Sequence, residues 1–246
     1  MSADSYISLL ASPPRPCGYL EGRESVSHWA DPAALDADVY SSLIRQGFRR
    51  SGSHVYRPAC PDCQACVAVR VAVEDFRPAR RDRRCLRANQ DLERRMVPAR
   101  YEEEYFELYR RYLAARHPEG GMANPTPGDF EDFLIGRWSR TWFLEFRAGR
   151  RLLGVAVTDV VADGLSAVYS FFDPEESRRG LGNLAILEQI EEARRRGLPW
   201  VYLGYWIEAC PKMAYKARFR PLQGFVEGKW RWLQGPDPTP SPAQGL

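Results

Sequence analysis

Residues 166–221, SAVYSFFDPEESRRGLGNLAILEQIEEARRRGLPWVYLGYWIEACPKMAYKARFRP, decide how this chain is read. Ser166–Phe172 is rich in β-branched and aromatic residues and stops at Asp173-Pro174, which predicts a strand. Over Asn183–Arg196, Ile186, Ile190 and Ala193 recur at helical spacing with Leu187 beside them. Glu188, Glu191 and Glu192 precede Arg194–Arg196, as the helix dipole favours, and Gly197 with Pro199 supplies the stop. Trp200–Trp206 reads as a second strand. The unit is strand, glycine-containing loop, helix, strand. That order predicts a parallel pair with its loop facing a ligand.

The loop Ser177-Arg-Arg-Gly-Leu-Gly182 resembles the acyl-CoA pyrophosphate loop of the GNAT acetyltransferases. That pattern has Gln or Arg first, then two residues, Gly, one residue, and Gly or Ala. Ser177 stands at its first position here. The alternative is a tight turn with close helix–strand packing. The next segment is more specific. Tyr202-Leu-Gly-Tyr-Trp-Ile207, Cys210-Pro-Lys-Met-Ala-Tyr-Lys216 and Phe219-Arg-Pro221 resemble the C-terminal signature of the aminoacyl-tRNA–protein transferases. That family includes the eukaryotic arginyltransferases and the shorter bacterial aspartate/glutamate leucyltransferases. The resemblance implies a GNAT-like catalytic half that takes aminoacyl-tRNA in place of acyl-CoA, a change of donor that the departure at Ser177 permits.

The chain has 246 residues, enough for one large or two small domains with a sizeable core. No apolar run approaches the ~18 residues of a membrane span. The N-terminal MSADSYISLLASPPRPC lacks the charged start and apolar centre of a secretory signal, so a cytoplasmic protein with no membrane partner is expected. Only three of the 35 basic residues are Lys: Lys212, Lys216 and Lys229. Arg77–Arg100 carries nine Arg against Asp82, Asp91 and Glu93. Such a run is either a solvated face or the partner of a phosphate backbone. The candidates for holding tRNA are Arg80, Arg81, Arg83, Arg84 and Arg87, with Arg218 added from the C-terminal signature.

Cys60-Pro-Asp-Cys63-Gln-Ala-Cys66 makes two C-x2-C steps that share a cysteine. In a chain without a secretion signal this points to a metal or cluster before a disulfide. Zinc or an iron–sulfur cluster takes four ligands, and Cys17 supplies the fourth. The alternative is a set of buried thiols with no metal. Eukaryotic arginyltransferases carry an N-terminal C-x2-C pair and a later vicinal pair. Cys17 matches the first of these, Leu20 replaces the second, and Cys60, Cys63 and Cys66 stand for the vicinal pair. Cys85 and Cys210 are isolated in the sequence.

Taken in order, residues 1–16 read as a weakly ordered N-terminus with an apolar patch at Ile7–Leu10. Asp36–Gln46 predicts a helix stopped by Gly47, and Val67–Val73 a strand. In Tyr101–His117 the stripe Tyr105, Leu108, Tyr109 and Tyr112 reads as core, not as a base-stacking platform. The end of that helix, with Gly120-Gly-Met122 after it, again resembles the bacterial transferases. Asp129–Trp138 predicts a helix, Thr141–Arg147 and Arg151–Val161 strands, and Asp163-Gly164 a hairpin turn into the opening strand. The expected class is α+β: a GNAT-like acyltransferase fold, a mixed sheet with flanking helices, over 99–234. A smaller cysteine-containing domain precedes it over 17–98. The Pro-rich tail 235–246 reads as disordered.

The resemblance implies joining an acceptor's α-amine to the ester carbonyl of aminoacyl-tRNA. The ester is already activated, so no covalent nucleophile or cofactor is required for transfer. Positioning, proton removal and donors to the carbonyl oxygen remain. Lys212 and Lys216, four apart, share a face if helical and suit a tRNA phosphate or an acidic acceptor side chain. Tyr205 and Tyr215 are candidate donors, and Glu208 a candidate proton acceptor. His28, His54 and His117 are scattered and read as structural. The leucyl branch implies leucyl-tRNA as donor and proteins beginning with Asp or Glu as acceptors, marked thereby for N-degron (N-end rule) degradation. Arginyl transfer, acyl-CoA-dependent N-acetylation and non-catalytic RNA binding are the competing readings.

Overall fold

The structure, a computed structural model, describes residues 6–116 and 124–233. It opens with β1 (Leu9–Ala11), β2 (Arg15–Pro16), β3 (Glu24–Ser25) and β4 (Ser27–Ala30). Next come α1 (Ala37–Arg45), β5 (Arg49–Ser51), β6 (His54–Pro58) and β7 (Val67–Ala72). The middle of the chain forms α2 (Arg80–Arg87), β8 (Glu93–Pro98), α3 (Glu103–Arg116), α4 (Pro127–Leu134), β9 (Thr141–Ala148) and β10 (Arg151–Val161). It closes with β11 (Gly164–Phe172), α5 (Leu181–Arg195), β12 (Trp200–Trp206), α6 (Pro211–Ala214), β13 (Leu222–Val226) and β14 (Lys229–Trp232). The α+β class holds, built on a large mixed sheet.

That sheet has eight strands in the order β14-β13-β7-β12-β11-β10-β9-β8. All its pairings are antiparallel except β11 with β12, the pair the strand–loop–helix–strand unit predicts. A four-stranded sheet, β1-β4-β6-β5, and a β2-β3 ribbon make up the N-terminal module.

Three layers result. On one face, α5 sets Ile186, Leu187, Ile190 and Ala193 against Val69, Val71, Leu165 and Val201. Its first turns, Leu181, Leu184 and Ala185, meet Leu144, Phe146 and Leu153. On the other face, Tyr105, Leu108, Tyr109 and Leu113 of α3 and Phe130 of α4 cover Phe143, Val155 and Phe171. Beside them, Tyr40, Leu43 and Ile44 of α1 pack with Phe48, Val55, Val161 and Tyr202. Each fully buried side chain of this size contributes roughly 1.5–3 kcal/mol. Asp36 caps α1 by accepting from the Asp38 and Val39 backbone N–H groups, and Thr126 starts α4 the same way through Asp129. Pro127 follows at the first helical position, so α4 begins ahead of the expected Asp129 and ends at Leu134.

Three features of the structure bear on the expected boundaries. Residues 6–16 are not loose: β1 registers Leu9–Ala11 against Ala30–His28, and β2 pairs with β3. The boundary at 98/99 does not divide the fold, because the large sheet takes β7 and β8 from the N-terminal side of it. β7 carries apolar side chains toward both faces, which only a central strand can bury. The Arg-rich stretch is structured, as a helix and an edge strand. His117, Gly120-Gly-Met122 and the tail 235–246 lie outside the described residues.

Candidate active site

β11 and β12 pair only at Gly164–Trp200, Leu165–Val201 and Ser166–Tyr202. Beyond that point each strand keeps its outer partner, β10 or β7, and the pair splays. A bulge between Tyr202 and Gly204 opens the β12 side. Arg49, from β5, fills the wedge: its Nη2 donates to the carbonyl oxygens of Ala167 at 2.7 Å and Val168 at 3.2 Å. These are acceptors that a continued ladder would have used. Gly204 makes room for it, with φ of +79° and a position where a Cβ would sit 2.3 Å from the Arg49 Cζ. Both facts require glycine there.

The bulge also changes which way β12 faces. Tyr202 and Tyr205 both turn toward the N-terminal module, while Trp206 packs with the α5 side. The buried Tyr205 hydroxyl reaches the backbone oxygens of Gly47 and Tyr56, each at 3.0 Å. Its single proton is committed to those carbonyls, so Tyr205 ties β12 to the module and does not present a donor to substrate.

Lys216 follows α6 in a 3-10 turn, Tyr215–Arg218. It is 7% exposed, and its Nζ donates to the Tyr205 carbonyl oxygen at 2.6 Å. Burial, then the nearby Arg49 guanidinium, bring its pKa from 10.5 down to about 7, with the Cys210 thiol opposing. Lys212 lies on the exposed side of α6. The helix passes into the tighter turn at Tyr215, so the two lysines do not share a face. Glu208 is exposed on the turn between β12 and α6.

Tyr215 is 42% exposed, and partial burial raises its hydroxyl above the usual 10.0 against the pull of Arg49 and Arg218. The buried Nε of Arg218 has no partner among the described residues. Burial and the proximity of Arg81 lower its guanidinium, which Asp82 partly offsets. Arg80, Arg81, Arg83, Arg84 and Arg87 project from α2 into solvent, while the buried Asp82 anchors the helix start by accepting from the Ala79 N–H. At the far end of α2, the Cys85 thiol contacts the Arg179 and Gly180 carbonyls, so the helix lies against the loop that starts α5. In that loop Gly180 has φ of +64°, and a Cβ on Gly182 would press on Phe172 at 3.3 Å. Turn geometry and close packing therefore account for both glycines.

Cys17, Cys60, Cys63 and Cys66 line one cavity of about 570 Å³ together with Tyr19, Tyr56 and Tyr205. Burial pushes the Cys66 thiol up to about 11, helped by Cys60, Cys17, Cys63 and also Cys210. Cys210, isolated in the sequence, is thus a fifth thiol of the same neighbourhood. Among the described residues no group of three or more His, Cys, Asp or Glu side chains is arranged to hold a metal ion. The thiols are gathered without closing on a common point.

The splay thus brings together Tyr215, Lys216 and Arg218 and leaves Glu208 and Lys212 outside. Arg49 was absent from the sequence candidates. The available signal was Arg49-Arg50 inside a strand between Gly47 and Ser51-Gly-Ser53, which puts one cation on each face of a two-sided strand.

Comparison with known proteins places this geometry. The family described as "Arginine-tRNA-protein transferase, N terminus" matches residues 15–84, and its C-terminus counterpart matches 104–226. An aspartate/glutamate leucyltransferase of Alkalilimnicola ehrlichii is 52% identical, over 87% of this chain and 90% of its own. One from Marinobacter nauticus is 49% identical over 90% and 94%. Another, from Stenotrophomonas maltophilia, is 51% identical over 92% and 93%. Among solved structures, the C-terminal domain of a putative lysylphosphatidylglycerol synthetase from Agrobacterium fabrum overlaps 59% of this chain and 47% of its own. Its identity is 11% and its TM-score 0.45, and the likeness bears on neither fold nor reaction. The chain belongs to the arginine-tRNA–protein transferase family, in the company of the aspartate/glutamate leucyltransferases, and is an aminoacyltransferase.

Proposed function

We infer that this enzyme transfers leucine from leucyl-tRNA to the N-terminal Asp or Glu of acceptor proteins, marking them for the N-degron pathway. The observation that carries the mechanism is the buried Lys216 amine held by the Tyr205 carbonyl at the splay, with a run of charged neighbours leading back to the α2 arginines. Arg81 acts on Arg218, Arg218 and Arg49 on Tyr215, and Arg49 on Lys216. A sheet with one splayed parallel pair beside a long helix is also what a GNAT-like acyltransferase fold needs. The tRNA acceptor end follows α2 and Arg218 to the wedge. The acceptor protein's N-terminus comes from the opposite side, through the cavity bounded by Tyr19, Tyr56 and Tyr205. At that volume the cavity is of ligand-pocket size.

In the reaction the neutral α-amine attacks the ester carbonyl. A C–N bond forms, the ester C–O bond breaks, and the tRNA ribose oxygen leaves. Neutral Lys216 takes the proton from the amine and its ammonium returns it to the ribose oxygen. A lysine with a pKa of about 7 populates both forms at cellular pH, and Glu208 lies exposed outside the wedge. The reaction belongs in the cytoplasm, where charged tRNA is found; among the described residues no helix is long and apolar enough to cross a membrane. Cys17, Cys60, Cys63 and Cys66 share a cavity without converging; a structural zinc or iron–sulfur cluster on them would need the thiols to close together, which metal analysis of anaerobically purified protein tests.

The class is tested by donor. Labelled leucyl-tRNA with an Asp-initiated peptide gives labelled peptide, whereas labelling from acetyl-CoA alone would make the protein an acetyltransferase. The tRNA path is tested by salt. Replacing Arg81 and Arg84 with Ala weakens leucyl-tRNA binding and flattens its dependence on log salt by about 2, because each neutralised phosphate releases roughly one counterion. An unchanged affinity and slope would make the α2 arginines a solvated face.

A further inference from the structure

Arg49 and Arg50 are neighbours on one short strand and end in opposite circumstances. Arg50 is paired in full: its Nε and Nη2 grip Asp159 at 2.7 and 3.1 Å, and its Nη1 meets the Gly52 carbonyl. Arg49 reaches the wedge of the sheet and finds two backbone carbonyls but no carboxylate. Its Nη1 is buried without a partner among the described residues. Lys216 beside it adds positive charge whenever it is protonated and never offsets it, and the groups that feel Arg49 include the Tyr19, Tyr40, Tyr56, Tyr205 and Tyr215 hydroxyls, with the Cys210 thiol near Lys216. A buried cation without a counter-ion is disfavoured. The wedge is built to receive an anion.

The reaction brings three anions: tRNA phosphates, the developing oxyanion of the ester carbonyl, and the acceptor's acidic side chain. Placement favours the third. Arg49 comes from the N-terminal module, and its field reaches Tyr19 and Tyr56, which line the cavity on the acceptor side. The tRNA side is already served by Arg218 and α2. We propose that Arg49 is the specificity-determining residue that receives the side-chain carboxylate of the acceptor's N-terminal Asp or Glu, next to the Lys216 amine. This rests on the transfer reaction inferred above and names the group that selects its acceptor. It also gives the choice of acidic residues a physical basis. An Asn or Gln side chain fills the same space but leaves the Arg49 guanidinium uncompensated.

The test measures kcat and KM for peptides beginning with Asp, Glu, Asn and Gln, at saturating leucyl-tRNA, in wild type, Arg49→Gln and Arg49→Lys. Peptide affinity is measured alongside by fluorescence anisotropy, which needs no transfer. In Arg49→Gln, KM and Kd for the Asp peptide rise about tenfold or more, since a charged hydrogen bond is lost. The Asp-over-Asn preference falls by the same factor, and leucyl-tRNA affinity does not change. Arg49→Lys, which keeps the charge, retains part of the preference even if Arg49→Gln fails to fold. An equal fall in kcat for all four peptides with the preference intact would overturn the proposal in favour of a role at the carbonyl. Weakened leucyl-tRNA binding with normal peptide selection would overturn it in favour of phosphate. If wild type binds Asp peptides selectively but transfers nothing from leucyl-tRNA, the reaction assigned above fails while the carboxylate site stands.

Discussion

Lys216→Met is expected to lower the rate of transfer by about 100-fold or more while leaving leucyl-tRNA and peptide binding near wild type. The amine is buried at the splay and held by the Tyr205 carbonyl, where the two proposed substrate paths end. Loss of a positioned general base typically removes a factor of roughly 10²–10⁴. Lys216→Arg separates the two roles a lysine can play. Arginine keeps the charge but does not give up its proton in proteins, so a base role predicts that Arg is as poor as Met. Recovery in Lys216→Arg would show that charge alone matters there. In wild type the single-turnover rate rises through pH 7 as Lys216 loses its proton, and again near ~8 as the acceptor amine does. Only the second rise persists in the variants. Stability carries the matching sign. The folded pKa, about 7, lies below the ordinary 10.5, so the unfolded chain binds more protons across that window. Wild-type stability therefore climbs with pH between those values relative to Lys216→Met.

The second large effect is structural. Asp159→Ala is expected to cost about 3–5 kcal/mol, because Arg50 and Asp159 are both wholly buried and removal of the acid strands the guanidinium. Asp159 also accepts from the Thr141 hydroxyl at 2.6 Å, so a second buried donor is orphaned. For a chain of this size the melting temperature should fall by roughly 6–20 °C. The double variant Arg50→Met/Asp159→Leu should recover most of that, since it removes both charges together. A shift of Asp159→Ala below about 2 °C would mean that the pair does not fasten the N-terminal module to the large sheet. The fastening bears on function because β5 carries both arginines: Arg50 fixes the strand, and Arg49 is thereby held in the wedge.

How much of this was legible beforehand depends on the reach of each signal. The strand–helix–strand unit is local: period, caps and stop residues lie within 166–206, and the one parallel pair of the large sheet is where they place it. The polar end of that unit was readable as a site because it concentrates Lys, Tyr and Arg in a chain otherwise poor in Lys. What was not legible is set by long-range contact. Arg49 meets Ala167 and Val168 more than a hundred residues along the chain, and nothing in a three-residue strand announces a gap elsewhere in the sheet. Tyr205 looked like a donor to substrate, but the bulge at Gly204 turns it onto two backbone carbonyls. Lys212 and Lys216 looked equivalent at a spacing of four. A single change of helical pitch at Tyr215 buries one and exposes the other. Which sheet β7 joins was hidden for the same reason, since it reads as an ordinary apolar strand in either.

Two substrates are proposed to meet at Lys216, leucine arriving on tRNA and the acceptor chosen by its acidic first residue. The most direct measurement offers wild-type protein tRNA charged separately with labelled leucine and labelled arginine, with peptides that begin with Asp or with Asn. The account predicts that label enters the Asp peptide from leucyl-tRNA, with little into the Asn peptide and little from arginyl-tRNA. Transfer from arginyl-tRNA in place of leucyl-tRNA, or equal labelling of the Asp and Asn peptides, would contradict it.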